Sequence, residues 1–357
     1  MEKEVAPFER KLAWIRGLLG SGLDIVQVGS FVHPTKVPQM ADSDRLFTEL
    51  RAGGLRPGAV LSGLVLNEKG MERGYAAGVD LFCMGVSASE THSRKNTGMP
   101  IAEASERIVA MAKQAMAAGK RVQVSVQSAF GCGYEGPVPE ERVLRLVRQY
   151  VENDITNISL ADTAGHAAPQ QVARMFEQVF ALGSGLDCAC HFHDTYGLGL
   201  ANVWAAMEAG VTHVETSVAG LGGCPFTKIA GGNVCTEDFV HMLQRMGRRT
   251  DVQLDGLIAV ANEAGPKLEQ IGPSGSDQQI TSGPARGTRV AASAQTSASD
   301  AVYADAGDPQ QTQRIQQRTQ RLTTDAVKFL DGVDGKLPIS KLAPEGTPIG
   351  SDPRVQQ

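Results

Sequence analysis

Aromatic residues are scarce in this chain, at 5% of its residues, so its core must pack on valine, leucine, isoleucine and alanine. No apolar run approaches the length of a membrane span, which excludes an integral membrane protein of the helical kind. No basic run is present and the net charge is only −5, which argues against nucleic acid or acidic lipid as a partner. The first residues, Met1-Glu2-Lys3-Glu4, lack the apolar core of a secretory signal. Six cysteines at irregular spacing without an export signal read as reduced thiols, and a cytoplasmic protein is the expectation. Hydrophobic residues make up 42% of 357, enough for one large barrel or two smaller domains.

One phrase recurs: a small residue and glycine, a polar residue, then an apolar run rich in β-branched residues. It occurs at Ser21-Gly22, Ala77-Gly78, Ala118-Gly119 and Ala209-Gly210. Glycine there suits the left-handed position that ends a helix, and a buried strand follows. Repetition of that junction predicts helix-to-strand units and a parallel sheet. Seven strands are expected, near Ile25–Gly29, Val60–Leu66, Leu81–Val86, Val122–Gln127, Ile158–Asp162, Cys188–His193 and Val214–Val218. Helices between them show apolar faces, as with Ile108, Met111, Ala112 and Ala115, or Val143, Leu146, Val147 and Tyr150. The chain opens on a further helix, with Phe8, Leu12, Ile15 and Leu19 on one stripe. Beyond about Gly272 the composition turns to Gly, Ser, Ala, Gln, Asp and Thr. The expected organisation is therefore a folded domain over 1–271 and a mostly disordered tail over 272–357, with a short helix near Arg321–Leu330.

The chemistry concentrates in His191-Phe192-His193-Asp194-Thr195-Tyr196-Gly197 and Ala219-Gly220-Leu221-Gly222-Gly223-Cys224-Pro225-Phe226, followed by Asn233. Histidines one residue apart on a strand face the same side, at the C-terminal end of that strand. Imidazole, an amide oxygen and a nearby thiol are the parts of a divalent-metal site with an acid/base group beside it. Taken singly, His-x-His also reads as two hydrogen-bonded strand residues, Gly-Gly-Cys-Pro as a turn with an inert thiol, and Asn233 as a loop residue.

These two segments resemble the signature of the 3-hydroxy-3-methylglutaryl-CoA lyases. That family lies within a wider group of metal-dependent barrel lyases, aldolases and Claisen-type synthases, the isopropylmalate and homocitrate synthases among them. The resemblance extends to Ser30-Phe31-Val32, Val37-Pro38-Gln39-Met40, Gly131-Cys132-Gly133-Tyr134-Glu135-Gly136 and Ser159-Leu160-Ala161-Asp162-Thr163, and fades soon after Met246. It implies an α/β fold, a (β/α)8 TIM barrel, here lacking the first strand. It also implies Mg2+ or Mn2+ held by His191, His193 and Asn233, an acyl-CoA substrate and a retro-Claisen cleavage. Cys224 is then the acid/base residue on a glycine loop able to close over substrate. Asp162 is a candidate to orient the hydroxyl or the base, although a strand-end aspartate that caps the next helix explains it too. Glu237 has a supporting role in the family, and a capped helix start is its competing explanation. A homodimer is one admissible assembly.

Two departures from the family follow. Gln27 stands where the family has a glutamate near the metal. The strand-one loop with its arginine and acidic metal ligand is absent, and Asp194 cannot replace that ligand because it alternates away from the histidines. The chain starting at Met1 is accordingly expected to be catalytically silent, poorly soluble and weak in metal binding. A synthase running the reverse condensation on an oxo acid, and an inactive barrel that binds acyl-CoA or a partner, remain as other readings.

Overall fold

All four glycines of the recurring junction adopt the left-handed backbone their position requires, with φ of +96° at Gly22, +80° at Gly78, +72° at Gly119 and +106° at Gly210. Each reverses the chain from the end of a helix into a strand, a conformation that a Cβ would strain. The structure is a computed structural model that describes residues 5–223 and 232–265. Cys224 and the whole of the expected tail, 272–357 with its short helix, lie outside the described residues.

The elements follow in the order α1 (Phe8–Gly20), β1 (Ile25–Ser30), α2 (Ser43–Ala52), β2 (Val60–Leu64), α3 (Glu68–Ala77) and β3 (Leu81–Ser87). Next come α4 (Glu90–Thr97), α5 (Ile101–Ala117), β4 (Arg121–Gln127), α6 (Glu140–Val151), β5 (Asn157–Asp162) and α7 (Pro169–Phe180). β6 (Asp187–Phe192), α8 (Gly199–Glu208), β7 (His213–Glu215), α9 (Thr236–Arg245) and α10 (Leu254–Ala264) complete them. The strands form one curled seven-stranded sheet in sequence order, every neighbouring pair parallel. All seven expected strands are present. The last is shorter than the sequence suggested, because the chain leaves the ladder after Glu215 and turns through Val218–Gly220 with Ala219 at a positive φ.

Among the described residues, no strand pairs with the outer edge of β1 or of β7, so the ring is not closed there. Helices cover the outer face of the sheet. The stripes read from sequence on α5 and α6 are buried, as are Leu12, Ile15 and Leu19 of α1, while Phe8 sits at the rim beneath the Arg45 guanidinium. Phe47, Phe82, Tyr150, Phe176 and Phe192 are fully enclosed between sheet and helices. Each of these phenylalanines contributes roughly 1.5–3 kcal/mol by leaving water. No helix among the described residues is long and apolar enough to cross a membrane. The five cysteines among them, Cys83, Cys132, Cys188, Cys190 and Cys235, are buried thiols outside any disulfide.

Candidate active site

The C-terminal end of β6 carries the two histidines of the motif. His191 is the penultimate residue of the strand, and His193 lies just beyond it in an isolated antiparallel bridge with Asn233. That bridge belongs to a returning segment, Gly232–Thr236, which runs between the end of β6 and Ser217. Asp194 donates its N–H to the Gly232 carbonyl (2.8 Å) and Val234 donates to Phe192 (3.0 Å). On the other side Ser217 donates to Val234 and Thr236 donates to Ser217, each at 3.0 Å. Residues forty positions apart in sequence are thereby fixed side by side by backbone hydrogen bonds.

The imidazole Nε2 atoms of His191 and His193 converge to 3.3 Å. Beside them, Asn233 donates its Nδ2 to the Leu221 carbonyl (2.8 Å), which fixes the amide orientation. Its Oδ1 is buried with no hydrogen-bond partner among the described residues. A buried acceptor left unmade costs about 1–3 kcal/mol unless something occupies it. Two imidazole nitrogens 3.3 Å apart, with a buried amide oxygen lacking a hydrogen-bond partner on the residue bridged to His193, suit a borderline-hard divalent cation, so the residues present fit a metal. No three His, Cys, Asp or Glu side chains form such a cluster among the described residues, so an amide is needed as the third donor.

Glu215, the last residue of β7, stands in register with His191 and was not singled out from the sequence. Its Oε2 lies 3.0 Å from His191 Nδ1, and its Oε1 accepts the Ser159 hydroxyl at 2.7 Å. Burial alone would lower the His191 pKa, but the hydrogen bond and charge of Glu215, with Asp162 and Asn233, outweigh it and raise it. Burial likewise pushes Glu215 upward, yet His191 and Ser159 hold its carboxyl below the usual range. The signal in the sequence was an acidic residue inside a strand of the parallel sheet, a place where carboxylates seldom occur without a partner.

Asp162 ends β5 in full burial, and both its oxygens are engaged: Oδ1 accepts the N–H of His166 and Oδ2 that of Ala167, each at 2.9 Å. It thus ties the β5–α7 loop rather than capping α7, whose N-cap position is Ala168. Burial raises its pKa against those amide bonds. Glu237 corrects the expectation that a helix cap would explain it. Its carboxylate reaches across to the Ala219 N–H, and α9 has no side-chain cap. Burial pushes its pKa up to about 7. Asp194 turns away from the histidines as expected, accepting the Gly199 N–H at 2.8 Å. Gln27 lies exposed on β1. Cys224 follows directly on the described stretch Leu221–Gly223 and is itself outside it.

Comparison with known proteins places the chain in a family. Residues 2–263 match the HMGL-like family. The chain is 36% identical over 268 residues to a hydroxymethylglutaryl-CoA lyase of Bacillus subtilis, covering 74% of this chain and 88% of the relative. It is 37% identical over 259 residues to the hydroxymethylglutaryl-CoA lyase of Pseudomonas mevalonii, covering 72% and 85%. Among solved structures, an HMG-CoA lyase of Acinetobacter baumannii in complex with coenzyme A and 3-methylmalate superposes with a TM-score of 0.71 at 34% identity, over 80% of this chain and 92% of that one. With its parallel strands, its paired histidines and these relatives, the chain belongs to the HMGL-like family, that of the hydroxymethylglutaryl-CoA lyases.

Proposed function

We propose that this chain is a divalent-metal-dependent carbon–carbon lyase that cleaves a 3-hydroxy-3-methylglutaryl-CoA-like thioester into acetyl-CoA and acetoacetate. The observation that carries this reading is the convergence of His191 Nε2 and His193 Nε2 at the C-terminal mouth of the sheet, with Asn233 bridged to His193 and its buried Oδ1 without a hydrogen-bond partner among the described residues. In a parallel α/β barrel that is the face where substrate binds. His191, His193 and Asn233 would hold Mg2+ or Mn2+. When bound, the cation supplies Lewis acidity that lowers the pKa of the substrate's tertiary hydroxyl.

Cys224 is assigned the proton transfers. Its thiolate would take the hydroxyl proton, the C2–C3 bond would break as the carbonyl of acetoacetate forms, and the electron pair would pass to C2 of the acetyl-CoA enolate. A proton returned to C2 completes the balance. Asp162 keeps its place near His191 by tying the β5–α7 loop. Glu237 fixes the backbone at Ala219, at the root of the loop that leads to Cys224.

The test is to incubate the chain with 3-hydroxy-3-methylglutaryl-CoA and Mn2+ and to measure acetoacetate and acetyl-CoA. Equal amounts of both, lost on chelation of the metal, are expected, in place of the catalytic silence expected from the sequence alone. No cleavage by metal-loaded protein, or condensation of acetyl-CoA with an oxo acid instead, would overturn the reading.

A further inference from the structure

We propose that Glu215 is a positioning residue that acts through His191. It fixes the imidazole with Nδ1 protonated and Nε2 aimed at the cation. This rests on the metal reading above.

The geometry assigns each atom of the carboxylate. Oε2 faces His191 Nδ1 at 3.0 Å and Oε1 accepts the Ser159 hydroxyl at 2.7 Å. Both oxygens are thus engaged by groups of the protein. Because an imidazole has its two nitrogens on opposite sides of the ring, an Nδ1–H donated to Glu215 leaves the lone pair on Nε2, the atom that meets His193. Register explains why the pair forms. His191 and Glu215 are direct partners in the β6–β7 ladder, and Ser159 on β5 faces the same interior. A carboxylate hydrogen-bonded to a ligand imidazole raises the basicity of that ligand and orients its ring.

Glu215→Gln keeps the shape and removes the charge, so it is the decisive variant. Calorimetry with Mn2+ on the full chain is expected to show a loss of about 10–100-fold in affinity with the thermal midpoint preserved. Ser159→Ala, which leaves the carboxylate in place, should lose clearly less. A second measurement needs no metal. 15N spectra of the parent's imidazoles at alkaline pH should show His191 as the Nδ1–H tautomer, and Glu215→Gln should lose that preference. Unchanged Mn2+ affinity in Glu215→Gln, or an Nε2–H tautomer in the parent, would overturn the proposal even if the variant proved unstable. A parent that binds no Mn2+ yet shows the Nδ1–H tautomer would instead refute the metal reading on which the proposal stands.

Discussion

Both carboxylate oxygens of Glu237 lie 3.1 Å from the backbone nitrogen of Ala219, a non-glycine residue held at φ +56°. The left-handed backbone costs an alanine roughly 1–2 kcal/mol, and a buried acceptor on its N–H offsets that strain. The turn so fixed leads from β7 to the loop that continues towards Cys224. A helix-start pattern in the sequence therefore serves a contact eighteen residues away.

The first prediction concerns pH. Burial raises the Glu237 pKa from 4.5 to about 7 in the folded chain. The stabilisation from this group is therefore fully present below the unfolded value and is lost as pH rises through the folded one. The separation corresponds to about 3 kcal/mol. Urea unfolding of the parent and of Glu237→Gln between about pH 5 and 8 should show the parent losing stability relative to the variant as pH rises. Parallel curves would disprove a buried, proton-linked Glu237.

Removing either imidazole should abolish divalent-metal binding while the fold survives. His191→Ala and His193→Ala alter the mouth of the sheet and not the layer packed between sheet and helices. Titration calorimetry should show no measurable Mn2+ heat in either variant, with circular dichroism unchanged. Parent-like affinity in both would remove the metal assignment.

Gly165→Ala should be strongly destabilising. Gly165 has φ +75°, and a Cβ there would come within 2.5 Å of Thr195 Oγ1 and 2.6 Å of Thr195 Cβ. Backbone strain and overpacking together should cost about 2–4 kcal/mol. Thermal unfolding by circular dichroism would measure it, and a midpoint equal to the parent's would contradict the close approach of the β5–α7 and β6–α8 loops.

Cys224→Ser should lower kcat by about 10²–10⁴-fold and change KM far less, since a proton-transfer group acts mainly in the transition state. Steady-state cleavage of 3-hydroxy-3-methylglutaryl-CoA by parent and variant checks this. Near-normal turnover in the serine variant would move the base elsewhere, and Asp162 would have to give up its loop amides to serve.

The fold was legible because its signals are local. A glycine after a small residue at Gly22, Gly78, Gly119 and Gly210 reports a backbone need that no neighbour can override, and all four have the positive φ it implies. The strands were legible as β-branched runs, and His191 with His193 as a period-two pair. Chain ends of elements were less so. Nothing in Thr216-Ser217-Val218 announces that the β7 ladder stops at Glu215, because strand length depends on the partner available.

Only the tertiary structure decided which polar groups meet. Asn233 reaches His193 through a returning segment held by backbone bonds to Phe192 and Asp194, contacts that leave no periodic trace in sequence. Asp162 and Glu237 each had a local explanation as helix caps, and in the fold each binds other amides. Glu215 is the clearest case. Sequence placed an acid on a strand of the parallel sheet, but its charge gains meaning only from register, which sets it opposite His191 and within reach of Ser159. Local propensity determines elements. The chemistry of the site is set by long-range pairing, since a buried carboxylate is stable only where another part of the chain supplies its partners.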